Sequence, residues 1–402
     1  MAQAESVFPA SQNGRLDLLS TLEHVAPNLP DHPLRILCIA GARPNFMKIA
    51  PLFRVFAGKS GFEPVLIHTG QHYDDQMSAQ FFRDLGLPNP LYNLAVGSAS
   101  HAQQTAEIMK RFEPVVLQEQ PKAVLVVGDV NSTAACALVA KKLGVAVIHI
   151  EAGLRSFDRS MPEEINRLVT DAISDVLLVT EESGIRNLRN EGVPAEKIHY
   201  VGNLMIDSLY FHLERSKESR ILDQLELRGR RFGLVTLHRP SNVDDADQLG
   251  QLLHALREIA EDLPLVFPVH PRTRARIQQA DVGSNIRLLD PLGYLDFVSL
   301  MSSSSLILTD SGGIQEETTA LGIPCLTLRN NTERPVTIEE GTNVLAGTTY
   351  ESIIGAWHQH LQNPKSGNVP KFWDGKAAER CVRAIGRVLG SESVLHVATT
   401  AG

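Results

Sequence analysis

Three carboxylates stand where apolar runs end. Asp129 follows Val127-Gly128, Glu151 follows Ala146–Ile150, and Glu163 sits behind Pro162. In open α/β sheets ligands bind beyond the C-terminal ends of the strands. Carboxylates crowded into one cleft raise one another's pKa, which is what an acid–base pair needs near neutral pH. Each has a plainer role as well. Asp129 can cap the helix after it, Glu163 can answer a helix dipole, and all three can pair with Arg155, Arg159 and Arg167. His238, in Thr236-Leu-His-Arg-Pro-Ser241, follows another apolar run and precedes an arginine and a turn, an arrangement suited to an anion.

Two glycine turns offer sites for phosphate. Gly41-Ala-Arg-Pro-Asn-Phe-Met-Lys48 places a turn before a helix start, where free backbone N–H groups and Arg43 can meet an anion. It lacks the second glycine of a Walker A loop. Thr309-Asp-Ser-Gly-Gly-Ile-Gln-Glu-Glu317 is the stronger signal. A strand ends, a Ser-Gly-Gly turn follows, and a helix begins, so its N–H groups suit a diphosphate. Glu317, one turn further on, can take both hydroxyls of a ribose.

Several chemistries are excluded by what is missing. There is no GxGxxG, and no tyrosine has lysine four positions later, so the usual NAD-dependent route of sugar epimerases has no carrier. No HExxH and no cluster of Cys and His points to zinc. The chemistry then falls to side chains and a leaving group, with no cofactor and no metal.

The elements that hold these residues are short apolar runs separated by helix-length stretches. One series is Ile36–Ala40, Glu63–His68, Ala123–Val127, Ala146–Ile150 and Val176–Thr180. A second is Phe232–Leu237, Leu265–Val269, Ile286–Leu289, Leu306–Thr309 and Pro324–Leu328. Such runs read as parallel strands buried on both faces, in a doubly wound α/β arrangement. Two series in 402 residues imply two domains with a cleft between them. The hinge is expected in Asn203–Ser208, ahead of the charged stretch Glu214–Arg231.

Composition narrows the partners. Apolar residues make up 43% and charged residues 21%, as in an ordinary globular protein, and the net charge of −8 argues against nucleic acid. No apolar run is long enough to span a membrane. The four cysteines are scattered, and three lie in apolar or small-residue runs, which suits a reducing cytoplasm. Residues 1–33 read as a polar extension with a short helix near Leu16–Val25, and 391–402 as a loose tail.

Taken together, five segments resemble the non-hydrolysing UDP-N-acetylglucosamine 2-epimerase family. They are Glu151-Ala-Gly-Leu-Arg155, Pro162-Glu-Glu-Ile-Asn-Arg167, Asp310-Ser-Gly-Gly-Ile-Gln-Glu-Glu317, Thr332-Glu-Arg-Pro335, and Asp374-Gly375 with the helix that follows. The resemblance runs from Arg35 to Val388. It implies a GT-B-like fold of two Rossmann-like domains, 34–205 and 206–376, with a final helix near 377–390 crossing back to the first. It implies UDP held by Ser311, Gly312, Gly313 and Glu317, with Phe297 near the uracil. Arg43 and His238 match groups around the diphosphate and sugar, and Lys48 and His270 are expected as further substrate contacts. Asp129, Glu151 and Glu163 match the catalytic carboxylates, with His238 beside them.

The implied reaction interconverts UDP-N-acetylglucosamine and UDP-N-acetylmannosamine. UDP leaves to give 2-acetamidoglucal and then re-adds, supplying sugars for surface polysaccharide. A cytoplasmic homodimer is expected. The neighbouring alternatives are a 2-epimerase of a UDP-2,3-diacetamido-uronic acid and a GT-B glycosyltransferase. Three departures stand out. Many bacterial members have Thr-Arg-Pro-Glu where this chain has Ala42-Arg-Pro-Asn45, and His-Arg-Arg-Glu where it has His238-Arg-Pro-Ser241. Their activating second site uses Gln-His-Arg, against Gln71-His72-Tyr73-Asp74 here. Gln71 and His72 remain the candidates for such a site, and Asp74 predicts weak or absent activation by repelling a second diphosphate.

Overall fold

The computed structural model describes residues 33–59, 61–71, 82, 83, 85–269, 271–277 and 282–390. The expected helix at 16–25, the tail from 391, His72 and His270 lie outside the described residues.

The first sheet contains β1 (Leu34–Ala40), β2 (Phe62–His68), β3 (Tyr92–Asn93), β4 (Ala123–Val127), β5 (Ala146–Ile150), β6 (Val176–Val179) and β7 (Ile198–Tyr200). It is parallel throughout, in the order β3-β2-β1-β4-β5-β6-β7. Around it run α1 (Arg43–Ala57), α2 (His101–Glu119), α3 (Asn131–Lys142), α4 (Pro162–Ile173), α5 (Glu182–Asn190) and α6 (Leu204–Ser216).

The second sheet contains β8 (Gly233–Thr236), β9 (Leu265–Pro268), β10 (Ile286–Leu289), β11 (Leu306–Thr309), β12 (Cys325–Thr327) and β13 (Asn343–Leu345), in the parallel order β10-β9-β8-β11-β12-β13. Its helices are α7 (Ile221–Gln224), α8 (Pro240–Val243), α9 (Ala246–Asp262), α10 (Pro271–Ile277), α11 (Tyr294–Ser303), α12 (Gly312–Leu321), α13 (Pro335–Glu339) and α14 (Tyr350–Gln362), while α15 (Ala377–Gly390) returns to the first domain, where Cys381, Val382 and Ile385 join the core that holds Ile36 and Cys38. Each expected strand is present to within two residues at either end. The short strands β3, β7 and β13 are additional, and all three are sheet edges.

Parallel strands need both faces covered, because crossover helices lie on both sides. Along β1, Ile36, Cys38 and Ala40 face one core while Leu37 and Ile39 face another, as the two-residue period of a strand requires. The second sheet repeats the pattern, with Val235 on one side and Leu234 on the other. All four cysteines are buried and free, and burial pushes their thiols up. Among the described residues no helix is long and apolar enough to cross a membrane.

In each sheet the strand order reverses beside the first strand, between β1 and β4 and between β8 and β11. That switch point opens a crevice at the strand ends. The loops carrying Gly41, Asp129, His238 and Asp310 all leave from these strands.

The expected hinge is not a loose linker. Asn203 caps α6 by accepting from Met205 N at 2.9 Å, and the helix serves both domains. Leu204 and Met205 join the first core, and Ile206 and Leu209 the second. Asp207 on this helix accepts from Ala377 N at 3.0 Å and Ala378 N at 2.8 Å, which caps α15. Trp373 donates to Thr180 O at 3.0 Å. The returning chain is thus fastened to the first domain on both sides of Asp374.

Candidate functional site

β4 and β5 pair in register, Val127 opposite Ile150, so Asp129 and Glu151 leave adjacent strand ends. Between them Gly128 has φ +70°, and a Cβ there would come within 3.2 Å of Glu151 Oε2 and 3.8 Å of Lys48 Nζ. Glu151 has φ +66°, a left-handed conformation that costs a non-glycine residue about 1–2 kcal/mol. Such strain persists where surrounding structure imposes it. Here Lys48, buried on α1, pairs with Glu151 Oε2. Glu151 Oε1 has no hydrogen-bond partner among the described residues and lies 3.9 Å from Arg334 Nη2. Burial alone would raise the Glu151 pKa, but Lys48 and Arg334 outweigh it and hold the carboxyl below its ordinary value.

Asp129 goes the other way. About a third of its side chain (35%) reaches solvent, and it pairs with Arg167. Desolvation of the carboxyl nevertheless raises its pKa against Arg167 and Lys48, and the neighbouring Glu151 charge adds to the rise. Two carboxylates on adjacent strands are therefore driven apart in proton affinity.

Glu163, on the first turn of α4, is half-buried and makes no hydrogen bond or ion pair among the described residues. Its neighbour Glu164 is the bracing residue. It accepts from Ser156 N and Phe157 N, each at 3.0 Å, and from Arg167 Nε at 2.9 Å. The alternative of an arginine cluster holds for Arg167 alone. Arg155 pairs with Asp171 and Glu191, and Arg159 is exposed.

The turn at Gly41 differs from expectation. Asn45 Oδ1 accepts from Gly41 N at 3.1 Å and Ala42 N at 2.9 Å, and Pro44 has no N–H. Two of the backbone donors expected to receive phosphate, those of Gly41 and Ala42, are filled by the chain's own side chain. Arg43 is half-buried and close enough to act electrostatically on Tyr294 of the second domain. Gln71 is also engaged. Its Oε1 accepts from Ser132 N at 2.9 Å and Ser132 Oγ at 2.7 Å, which fastens it to the start of α3.

Across the cleft, α12 begins without a side-chain cap. Its first-turn N–H groups carry the partial positive charge of a helix start. A Cβ on Gly312 would come within 2.6 Å of Arg334 Nη1, whereas one on Gly313 would meet nothing closer than Met205 Cε at 3.9 Å. Glu317 is buried and accepts from the Tyr294 hydroxyl at 2.8 Å. Burial pushes its carboxyl up to about 7. Phe297, half-buried one turn beyond Tyr294 on α11, packs against the second core.

Sequence reasoning missed the parts played by two residues. Buried Asp310 accepts from Arg239 N at 3.0 Å and Asn242 Nδ2 at 3.1 Å, and pairs with His238 Nδ1 at 2.8 Å. Burial would raise its pKa, but these partners, His238 first, hold it below its ordinary value. His238 is half exposed, with Nδ1 engaged by Asp310. Arg334 contacts Glu316 at 2.8 Å and Glu333 at 2.6 Å within its own domain and reaches toward Glu151 in the other. Both lay inside quoted motifs, but a lone arginine or aspartate carries no spacing signal. The crowding of Gly312 by Arg334 is visible only in three dimensions. Among the described residues no group of three or more His, Cys, Asp or Glu could hold a metal ion.

The cleft thus joins an oppositely biased carboxylate pair on one wall to an uncapped helix start, a bridging arginine and a fixed histidine on the other. This can hold a diphosphate while a proton moves at a neighbouring carbon. The family model for UDP-N-acetylglucosamine 2-epimerase matches residues 55–386. The UDP-N-acetylglucosamine 2-epimerase of Methanocaldococcus jannaschii is 41% identical over 363 residues, covering 88% of this chain and 99% of that protein. The UDP-2,3-diacetamido-2,3-dideoxy-D-glucuronate 2-epimerase of Pseudomonas aeruginosa is 40% identical, covering 88% of this chain and all (100%) of that protein. A crystal structure of the M. jannaschii enzyme in complex with UDP-GlcNAc and UDP superposes with a TM-score of 0.79 at 41% identity, covering 88% and 99% of the two chains. The chain belongs to the UDP-N-acetylglucosamine 2-epimerase family, a family of isomerases.

Proposed function

We propose that this protein inverts C2 of UDP-N-acetylglucosamine, giving UDP-N-acetylmannosamine, through elimination and re-addition of UDP. The observation that carries the reading is the Asp129–Glu151 pair, set on adjacent strand ends and biased in opposite directions. The C2 hydrogen is not beside a carbonyl, so simple enolisation is closed. Breaking the C1–O bond sends its electron pair to the diphosphate and builds positive charge at C1, which acidifies C2–H. One carboxylate takes that proton, the electrons of C2–H form the C1=C2 bond of 2-acetamidoglucal, and a proton returns on the opposite face as UDP re-adds at C1. Separated proton affinities are the usual mark of an acid and a base working together. Glu151, held ionised by Lys48 and Arg334, suits the base. Asp129 suits the acid, and the roles exchange in the reverse direction.

The uncapped start of α12, with Ser311, Gly312 and Gly313, takes the diphosphate, and Arg334 and His238 stabilise its growing charge. Glu317 takes the ribose and Phe297 the base. Glu163 and Arg43 face the sugar and diphosphate as the domains close, and Lys48 follows Glu151. The product would serve as an N-acetylmannosamine donor for polysaccharide.

The Pseudomonas relative supports a second reading, C2 inversion of a UDP-2,3-diacetamido-uronic acid. Incubation in D₂O with each UDP-sugar, without NAD or acceptor, separates the two. Deuterium entering C2 of UDP-N-acetylglucosamine supports the first reading. Deuterium entering only the diacetamido-uronate supports the second, and none in either rejects C2 epimerisation.

A further inference from the structure

Beneath Asp129 and Glu151 lies a buried histidine that the mechanism does not use. His149 is on β5, two residues before Glu151, and its ring is fully buried. Its Nδ1 lies 2.6 Å from Asp171 Oδ1 and its Nε2 lies 2.9 Å from the carbonyl oxygen of Gly128. A backbone carbonyl can only accept. Asp171 is committed to accepting too, because its Oδ2 receives Gly153 N at 3.0 Å and Arg155 Nη1 at 2.7 Å. Burial would raise the Asp171 pKa, but His149 and then Arg155 outweigh it and hold the carboxyl below its ordinary value. Both ring nitrogens therefore face acceptors, an arrangement that only a ring with hydrogen on both nitrogens can satisfy in full.

The bonds reach the two turns that present the acid–base pair. Nε2 holds the carbonyl of Gly128, immediately before Asp129, and Asp171 holds the N–H of Gly153, two residues beyond Glu151. Asp171 also stands one turn along α4 from Arg167, the partner of Asp129. Arg155 extends the network to Glu191, so its charges alternate: Glu191, Arg155, Asp171, His149.

We propose that His149 is a positioning residue, held as a buried imidazolium by Asp171 and the Gly128 carbonyl, that fixes both carboxylate-bearing turns and keeps a positive charge behind them. The charged groups around it are Asp171 and Arg155 on its own side, and Asp129, Glu151 and Lys48 on the cleft side. The charge of His149 adds to those of Lys48 and Arg334 in keeping Glu151 ionised. The proposal rests on reading Asp129 and Glu151 as the acid–base pair.

The first test needs no activity. In the full-length protein labelled with ¹⁵N-histidine, one ring buried from exchange is expected to show both nitrogens protonated, and that signal is expected to vanish in His149→Gln. A ring with one bare nitrogen would overturn the cation. The second test is the pH profile. His149→Gln keeps one N–H for the Gly128 carbonyl but no charge. Its kcat is expected to fall about tenfold or more through misplaced carboxylates, with KM changing less than threefold. Its acid limb is expected to move up by about one pH unit, since a lost positive charge makes a neighbouring carboxylate easier to protonate. A folded variant with wild-type kcat and an unmoved acid limb would overturn the positioning role. If wild-type protein fails to exchange C2 hydrogen, the functional reading fails while the nitrogen spectrum still decides the protonation of His149. If His149→Gln does not fold, wild-type spectra recorded with and without UDP decide the proposal. Two protonated nitrogens whose shifts move with UDP support it, and a ring indifferent to UDP overturns it.

Discussion

The two walls of the cleft are built from the same sheet topology and present different chemistry. On the first-domain wall the strand ends carry ion pairs: Lys48 with Glu151, Arg167 with Asp129. On the second-domain wall a helix start lies open, Glu317 is tied to a tyrosine hydroxyl, and Asp310 to a histidine and backbone N–H groups. The contrast separates two needs. A group that exchanges protons must have its ionisation tuned by neighbouring charges that oppose burial. A group that stabilises a leaving diphosphate works best as a fixed dipole that need not reorganise. Arg334 links the walls, with two carboxylates on its own side and Glu151 on the other.

The largest effects should come from the proton-exchanging wall. Glu151→Gln and Asp129→Asn are each expected to slow turnover by about 10²–10⁴-fold while leaving UDP affinity nearly unchanged. Steady-state rates with calorimetry on UDP check both halves. Near-wild-type turnover in either folded variant would remove that residue from the acid–base pair.

Next comes the nucleotide side. Glu317→Ala is expected to weaken UDP binding by about 1–3 kcal/mol through lost hydrogen bonds to a charged group. The native residue also implies a pH dependence. In the proposed binding mode ribose hydroxyls donate to the ionised carboxylate, so binding would favour the deprotonated form. With the free carboxyl pushed up to about 7, UDP affinity should fall as pH drops below that value, and Glu317→Gln should flatten the curve. A wild-type dissociation constant unchanged between pH 6 and pH 8 would place the ribose elsewhere.

The glycine pair gives a smaller, internal comparison. Gly312→Ala forces a Cβ against Arg334, while Gly313→Ala has room. The first should weaken UDP binding by about 1 kcal/mol or more, the second by less, if the N–H groups of the helix start remain usable. Equal losses would mean that crowding at Arg334 is unimportant.

The smallest effect concerns the fastening of α15 rather than the cleft. Burial raises Asp207 to about 6 from an ordinary 3.8. A carboxyl raised on folding supports stability fully below its ordinary value and loses that support as pH rises through its folded value. Asp207→Asn keeps a capping acceptor without the charge. Its melting temperature relative to wild type should therefore improve between pH 4 and pH 7. A pH-independent difference would mean that the folded protein does not shift Asp207.

Much of the architecture was legible along the chain, because a parallel strand buried on both faces has to be a continuous apolar run. β1, β4, β5, β8 and β11 were read on that ground. β3, β7 and β13 were not. They are two- or three-residue edges with partly exposed side chains, and so short a run carries no periodicity. The strand-end positions of Asp129, Glu151, His238 and the Ser311-Gly-Gly turn followed from the same runs.

Residue types and chain order alone thus determined two doubly wound domains, the segments that border their cleft, and three carboxylates at strand and helix ends; that two of them leave adjacent strands is set by the sheet order. Tertiary structure decided how those segments are used. Asn45 fills the N–H groups of the Gly41 turn, so that wall does not offer the backbone phosphate site its motif suggested. Glu164, rather than Glu163, braces Arg167. Arg334 comes from 183 residues further along the chain than Glu151 (334 − 151) and still crosses the cleft toward it. The physical reason is range. Apolar periodicity is a local property set by the geometry of one strand or helix, whereas a carboxylate's proton affinity depends on charges within a few ångströms. Which charges those are is decided by how distant segments pack.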